Sequence, residues 1–152
     1  MVPKVRIAVL RGPADARELL LLLHPDTAPQ LPGGGINAGE TPLQAGRREL
    51  FEESGLDLAS GGELLGPFDY RLAGGPFGDG PLETQRWYVW CVEAPPDVPD
   101  AWTHEVRSGG FDAGYRFGYR WARLEPALAD AVHERFRLLV TLLIEGSRAR
   151  TA

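Results

Sequence analysis

The chain has 152 residues, of which 43% are hydrophobic and 24% are charged, and its formal net charge is −5. These values are typical of a globular domain, and the negative charge excludes a protein that coats nucleic acid through a basic surface. We therefore expect no stable nucleic-acid partner. The single cysteine, Cys91, cannot form an internal disulfide, and we expect a buried thiol within a strand.

No secretory leader or membrane span is visible in the sequence. The apolar run at residues 19–23 is far too short to cross a bilayer, and residues 1–4 lack the layout of a leader. We accordingly expect no membrane partner, a cytoplasmic location and one domain over residues 1–152.

The N-terminal part predicts two strands. Residues 5–10 are rich in β-branched side chains and are followed by a Gly-Pro turn. Residues 18–24 contain five consecutive leucines, and their short length favours a second strand that completes a hairpin. His24 is expected to end that strand without a chemical role, and residues 25–32 are expected to form a loop.

Residues 34–56 combine a glycine-rich loop with a helix. Thr41 is a good N-cap, Pro42 suits the first helical position, and Gln44 completes a Thr-x-x-Gln capping box. Gly55 is expected to end the helix. Leu43 and Leu50, seven residues apart, are expected to face a core.

Three acidic residues of this helix, Glu49, Glu52 and Glu53, are spaced i, i+3 and i+4 and therefore lie on one side. Each like-charge pair at this spacing costs about 0.2–0.5 kcal/mol on an exposed helix. A divalent cation reverses that repulsion, and carboxylate oxygens are the ligands that Mg²⁺ prefers. Three glutamates alone would equally fit a solvated acidic face.

The remaining chain predicts more strands and one closing helix. The predicted strands are residues 61–72, interrupted by Pro67, residues 82–93 and residues 115–124. Residues 73–81 and 102–114 are predicted to be irregular. Apolar residues at helical spacing predict one long helix over residues 126–145. Strands and helices in this order indicate an α+β fold, with helices covering a mixed sheet.

The segment 34–56 resembles the box of the Nudix hydrolase (MutT-like) family, Gly-x5-Glu-x7-Arg-Glu-aliphatic-x-Glu-Glu-x-Gly-aliphatic. Every specified position is filled, by Gly34, Glu40, Arg48, Glu49, Leu50, Glu52, Glu53, Gly55 and Leu56. The resemblance implies an α/β/α sandwich and an Mg²⁺-dependent pyrophosphohydrolase. Its substrate would be a nucleotide-type small molecule, a nucleoside diphosphate linked to another moiety. The resemblance also allows a homodimer.

The catalytic set expected from this resemblance is Arg48, Glu49, Glu52 and Glu53. Glu49 and Glu53 are the principal metal ligands, and Glu52 binds directly or through water, with Mn²⁺ as a substitute for Mg²⁺. The resemblance adds the backbone carbonyl of Gly34 as a ligand. Arg48, with Glu40 behind it, is expected to hold the carboxylates in register.

Two assignments stay open at this stage. The general base is a helix acid, Glu49 or Glu53, or a later acid, for which the candidates are Glu105, Asp112 and Glu125. For substrate binding, the aromatic residues Trp102 and Phe111 are candidates to stack on a base, with core packing as the alternative. Arg71 and Arg86 are candidates for the distal phosphates. A non-catalytic nucleotide-binding or regulatory module on the same fold is the competing interpretation of the whole chain.

Overall fold

The computed structural model describes residues 1–59, 61–75, 78–107 and 113–151. Within these residues the strands are β1 (Val2–Arg11), β2 (Glu18–Leu23), β3 (Gly33–Gly35), β4 (Glu63–Ala73), β5 (Leu82–Glu93), β6 (Ala101–Glu105) and β7 (Arg116–Arg123). The α-helices are α1 (Pro42–Ser54), α2 (Pro126–Ala131) and α3 (Arg137–Thr151), with a 3-10 turn at Glu134–Phe136. Every helix in these ranges is too short or too polar to cross a bilayer.

The strands form one mixed sheet in the order β4-β5-β1-β2-β7-β6, with β3 also paired to β1. The β1–β5 pair is parallel and the other strand pairs are antiparallel. The predicted hairpin of the first two strands forms only in part, because β1 meets β2 only at Leu10–Leu19 and Arg11–Glu18. The start of β1 pairs instead with the short glycine strand β3, which the sequence assigned to a loop.

Each face of the sheet carries its own hydrophobic core, because strand residues alternate between the two faces. Ile7 and Val9 of β1 pack on the face that α1 covers, together with Leu50 of that helix. Ala8 and Leu10 point the other way and pack against α2 and α3. The predicted mixed sheet between layers of helices is therefore confirmed.

Helix α1 begins and ends as predicted. Thr41 and Gln44 form the reciprocal capping box, and Gly55 ends the helix with a left-handed φ of 80°. Leu50 is fully buried, but Leu43 is 46% exposed, so the prediction that both face the core is wrong for Leu43. The side of the helix against the sheet is formed instead by Ala45, Gly46, Leu50 and Glu53.

The predicted single helix over residues 126–145 is wrong. The chain leaves α2 at Val132, and His133 has a non-helical ψ of 138° before the 3-10 turn and α3. The backbone N–H of His133 donates to the carbonyl of Pro29 at 2.8 Å, a tertiary hydrogen bond that replaces a helical one. The apolar spacing continues across this break, so periodicity alone does not reveal it.

Two other predictions have clear outcomes. Cys91 lies in β5 and is buried, as expected. Residues 101–105, assigned largely to an irregular segment, form β6, which pairs with β7 from Ala101–Arg120 to Glu105–Arg116. The sheet supplies this strand with its partners, whereas its local sequence carries no apolar alternation.

Candidate active site

An open cleft of about 840 Å³ lies where β1, β3 and α1 meet the turn before α3. Acidic residues of α1 line one side of it, and basic residues line the other. The residues that line the cleft include Lys4, Arg6, His24, Gly33, Gly34, Arg48, Glu49, Glu52, Glu53, Tyr115, Phe117, His133 and Arg135.

Arg48 connects the acids of the cleft to the loop before α1. Its guanidinium donates two hydrogen bonds to Glu40, at 2.8 and 2.9 Å, one to Glu49 Oε1 at 3.0 Å and a long one to Glu52 at 3.5 Å. A further bond reaches the carbonyl of Gly35 at 3.0 Å. The Glu40 hydrogen bonds raise the pKa of Arg48 above its usual range, and Arg48 in turn lowers the pKa of Glu40.

Glu40 holds the guanidinium of Arg48 in place but does not itself line the cleft. Its carboxylate also accepts the backbone N–H of Asn37 at 2.8 Å, which ties the loop to the helix. The Nε and Nη2 of Arg48 form a forked pair of bonds to Glu40, so its Nη1 is held beside both Glu49 and Glu52, where its charge offsets part of their mutual repulsion. The predicted role of Arg48 and Glu40, which is to position the acids, depends on these contacts and stays a prediction.

Glu53 is only 4% exposed, an unusual place for a glutamate. Its Oε1 accepts the backbone N–H of Gly33 at 2.9 Å, so the first residue of β3 holds the carboxylate of α1. An added Cβ at Gly33 would lie 2.2 Å from the carbonyl oxygen of Val5. Glycine is therefore required for this close approach between β3, β1 and the helix.

The main chain of Gly34 lies directly against the carboxylate of Glu49, since an added Cβ would lie 2.5 Å from its Oε1. Glu49, Glu52, Glu53 and the carbonyl of Gly34 are all oxygen donors, the set that suits a hard cation such as Mg²⁺. Among the described residues, no three acidic, histidine or cysteine side chains already form a metal cage. The chemistry of these donors fits a divalent cation, and they are the residues that would hold it.

The basic side of the cleft is formed by Lys4 and Arg6 of β1 and by Arg135 of the 3-10 turn, which we call the cation wall. None of these three residues was predicted from the sequence to lie at the site. The available signal was an arginine within a β-branched strand that is otherwise apolar, two residues after a lysine on the same face. Arg135 carried no such signal, because its position depends on the break before α3.

Rings line another part of the cleft. His24 lies 5.4 Å from Tyr115 and 5.3 Å from Phe117, measured between ring centroids. His24, expected to lack a chemical role, therefore lies at the site. His133 also lines the cleft, and burial lowers its pKa, followed by repulsion from Arg135.

Several residues predicted to bind substrate lie elsewhere. Trp102 stacks on Tyr119 at 5.0 Å and donates its Nε1–H to the carbonyl of Ser54, outside the cleft. Arg86 forms a bidentate ion pair with Asp69, at 2.8 and 2.9 Å. Arg71 is exposed in β4 and, like Arg86, is not among the described residues that line the cleft.

The later acids also lie apart from the helix acids. Glu105 and Glu125 are exposed and do not line the cleft among the described residues. Phe111 and Asp112, the remaining candidates, lie outside the described residues. The structure therefore brings together the acids of the box but none of the later acids that it describes.

Comparisons with known proteins place this chain in a wider group. The family model described as NUDIX domain matches residues 2–142. An RNA pyrophosphohydrolase from Bartonella henselae is 50% identical over 44 residues, which is 26% of this chain and 25% of that protein. The chain thus matches only about a quarter of the length of that relative.

Two solved structures show the same fold. The MutT protein from Methanosarcina mazei superposes with a TM-score of 0.62 at 20% identity, over 99% of this chain and 94% of that one. A binary complex of the C. elegans Ap4A hydrolase gives a TM-score of 0.56 at 21% identity, over 96% and 99% of the two chains.

Proposed function

This chain belongs to the NUDIX family, and we propose that it is a hydrolase that cuts a phosphoanhydride bond in a nucleotide-type small molecule. The observation that carries the proposal is the set of three glutamates that line one cleft, held by Arg48 and by the backbone of Gly33. Arg48 offsets only part of the repulsion among three carboxylates, and a bound divalent cation would offset the rest. The activities of the pyrophosphohydrolase and Ap4A hydrolase relatives agree with this reaction class.

A phosphoanhydride resists water because its charged oxygens repel the nucleophile. Bound Mg²⁺ would neutralise phosphate charge and assist the attacking water, with Mn²⁺ as a substitute. Glu49, Glu52 and Glu53 would hold the cation together with the carbonyl of Gly34, and Arg48 keeps Glu49 and Glu52 oriented. Because Glu53 is buried and hydrogen-bonded to Gly33, its position changes little when substrate binds.

The nucleoside end of the substrate would lie against the rings of His24 and Tyr115, which pack on the buried ring of Phe117. Stacking of a base on an aromatic ring contributes about 1–3 kcal/mol. These residues replace Trp102 in our account, because the indole of Trp102 is used in packing on Tyr119 and in capping α1.

The proposal is tested by incubating the purified protein with Mg²⁺ and a panel of nucleoside triphosphates, dinucleoside polyphosphates, nucleotide sugars and triphosphorylated RNA, with identification of the products. We expect turnover of at least one compound, and loss of that turnover in EDTA. Glu53→Gln is expected to lower turnover by at least a hundredfold, because one donor loses its charge.

The matched control is Glu145→Gln, which removes the same charge from an exposed position on α3 and should leave turnover within twofold. Circular dichroism of both variants establishes that they are folded. A folded wild-type protein that binds nucleotide without cutting any compound of the panel contradicts the proposal and favours the binding-module interpretation.

A further inference from the structure

The cation wall is distinguished by its lack of ion-pair partners among the described residues. Lys4, Arg6 and Arg135 all line the cleft, and none of the ion pairs found among the described residues includes them. By contrast, Arg17 forms an ion pair with Glu93 and Arg86 forms one with Asp69. The cation wall is therefore a part of the cleft where basic side chains have no ion-pair partner among the described residues.

Arg6 is the strongest evidence for a ligand here. It is only 8% exposed, and its Nε has no hydrogen-bond partner among the described residues. Its guanidinium lies over the rings of Trp87 and Phe136, at 4.4 and 5.2 Å. Arg6 is also among the residues that line the cleft, so a ligand in the cleft can approach its side chain. A buried guanidinium without an ion-pair partner among the described residues is costly, and an anion in the cleft would lower that cost.

Arg135 adds a second charge at the same place. Burial lowers the pKa of Arg6 to about 10, and repulsion from Arg135 is the next contribution. Burial lowers the pKa of Arg135 and of Lys4 as well, and Arg6 contributes to the effect on Lys4. Lys4, Arg6 and Arg135 are all basic side chains, so the fold holds groups of like charge together on one wall. A multiply charged anion between them would turn this repulsion into attraction.

The cation wall and the acids meet at a single glycine. Arg6 is the register partner of Gly33 in the β1–β3 pair, and an added Cβ on Gly33 would lie 3.1 Å from Arg6 Cδ. The N–H of the same Gly33 donates to Glu53. One ligand can therefore contact the carboxylate side and the cation wall at once.

We propose that Arg6 and Arg135, with Lys4 beside them, bind a phosphate group of the substrate that lies beyond the bond that is cut. This inference rests on the proposed function and narrows the substrate to compounds with three or more consecutive phosphates. A diphosphate bridged between two sugars has no phosphate beyond its own anhydride, so it would leave these cations facing an uncharged sugar. Arginine pairs bind phosphate oxygens well because their forked N–H groups match them.

The test measures binding without metal or turnover. Isothermal titration calorimetry in EDTA is carried out with inorganic tripolyphosphate and, separately, with ADP-ribose. We expect the wild-type protein to bind tripolyphosphate at least tenfold more tightly than ADP-ribose. Equal affinity for the two compounds, or no binding of tripolyphosphate at millimolar concentration, overturns the proposal.

Arg135 is the first position to change, because it is only half-buried and its loss leaves Arg6 on Trp87. Arg135→Gln should weaken tripolyphosphate binding at least tenfold, and Arg135→Lys should recover part of it. The control is Arg137→Gln, which removes the same charge from an exposed residue two positions along. Its binding should stay within twofold of wild type.

Arg6→Gln is the second variant and should have the larger effect, once circular dichroism establishes that it is folded. If Arg135→Gln binds as tightly as wild type, or if Arg137→Gln loses as much as Arg135→Gln, the assignment of the cation wall is wrong. Because no cleavage is measured, that result would leave the proposed hydrolase function intact. If the wild-type protein instead cleaves no compound of the substrate panel, the hydrolase function is rejected, whereas the measured binding of tripolyphosphate to the cation wall remains valid.

Discussion

Two adjacent glycines illustrate how closely the site is built around its backbone. At Gly34 an added Cβ would lie 2.5 Å from the carboxylate of Glu49, whereas at Gly35 it would meet nothing within 4 Å. Neither glycine has a positive φ, so backbone strain does not separate them. The difference between the two positions is contact with the acid alone.

Gly34→Ala is therefore expected to lower turnover at least tenfold with little loss of stability. The added methyl group displaces the flexible end of Glu49, which can move without disturbing the core but then leaves its place beside Arg48. Gly35→Ala should retain near-wild-type turnover. Steady-state kinetics and denaturant unfolding of the two variants check this, and equal turnover in both would show that the Glu49 contact is irrelevant.

The acids and Arg48 were predictable from the sequence, because helical spacing and the box pattern place them on one side of one helix. The role of Arg6 was not predictable, although this arginine lies between Val5 and Ile7 in an otherwise apolar strand. Its importance depends on Trp87 and Phe136, which are distant in sequence and cover its flat face only in the folded chain. A local pattern cannot contain that information.

At the level of elements, β6 has a role that its sequence did not indicate. Trp102 Nε1 donates to the carbonyl of Ser54 at 3.0 Å, and the Nδ1 of His104 lies 3.0 Å from the carbonyl of Glu53. These are among the last carbonyls of α1, which have no partner within the helix. Strand β6 thus caps the end of the helix that carries the acids.

Trp102→Phe distinguishes this capping role from the substrate-stacking role that the sequence suggested. We expect the free energy of unfolding to fall by about 1 kcal/mol, the net worth of one hydrogen bond. KM should stay within twofold, because the ring lies outside the cleft. A more than tenfold rise in KM with unchanged stability would show that Trp102 contacts the substrate and would contradict the capping role.

The C-terminal helices show where periodicity fails at this scale. Apolar residues continue at helical spacing through Leu128, Val132 and Phe136, so a single helix was predicted. The bond from His133 N–H to Pro29 interrupts it, and the Nδ1 of His133 then accepts the N–H of Arg135. The break is what brings Arg135 to the cleft, and it arises from a contact with a distant loop.

For the molecule as a whole, the layered fold brings opposite charges to one cleft from opposite faces of the sheet. Helix α1 contributes the acids from the face where Leu50 is buried. Arg6 reaches the cleft from the other face, where Trp87 and Phe136 form part of the core. The fold class was predictable from the order of strands and helices, but this meeting of charges depends on the β1–β3 register.

The proposed function depends on the binding of a divalent cation by the crowded carboxylates of α1. Titration of the protein with Mn²⁺, with free Mn²⁺ followed by electron paramagnetic resonance, tests it most directly. The wild-type protein is expected to bind Mn²⁺. Glu53→Gln should weaken this binding at least tenfold, whereas Glu145→Gln should leave it unchanged. Equal Mn²⁺ binding by the wild-type protein and Glu53→Gln would contradict the proposed cation binding.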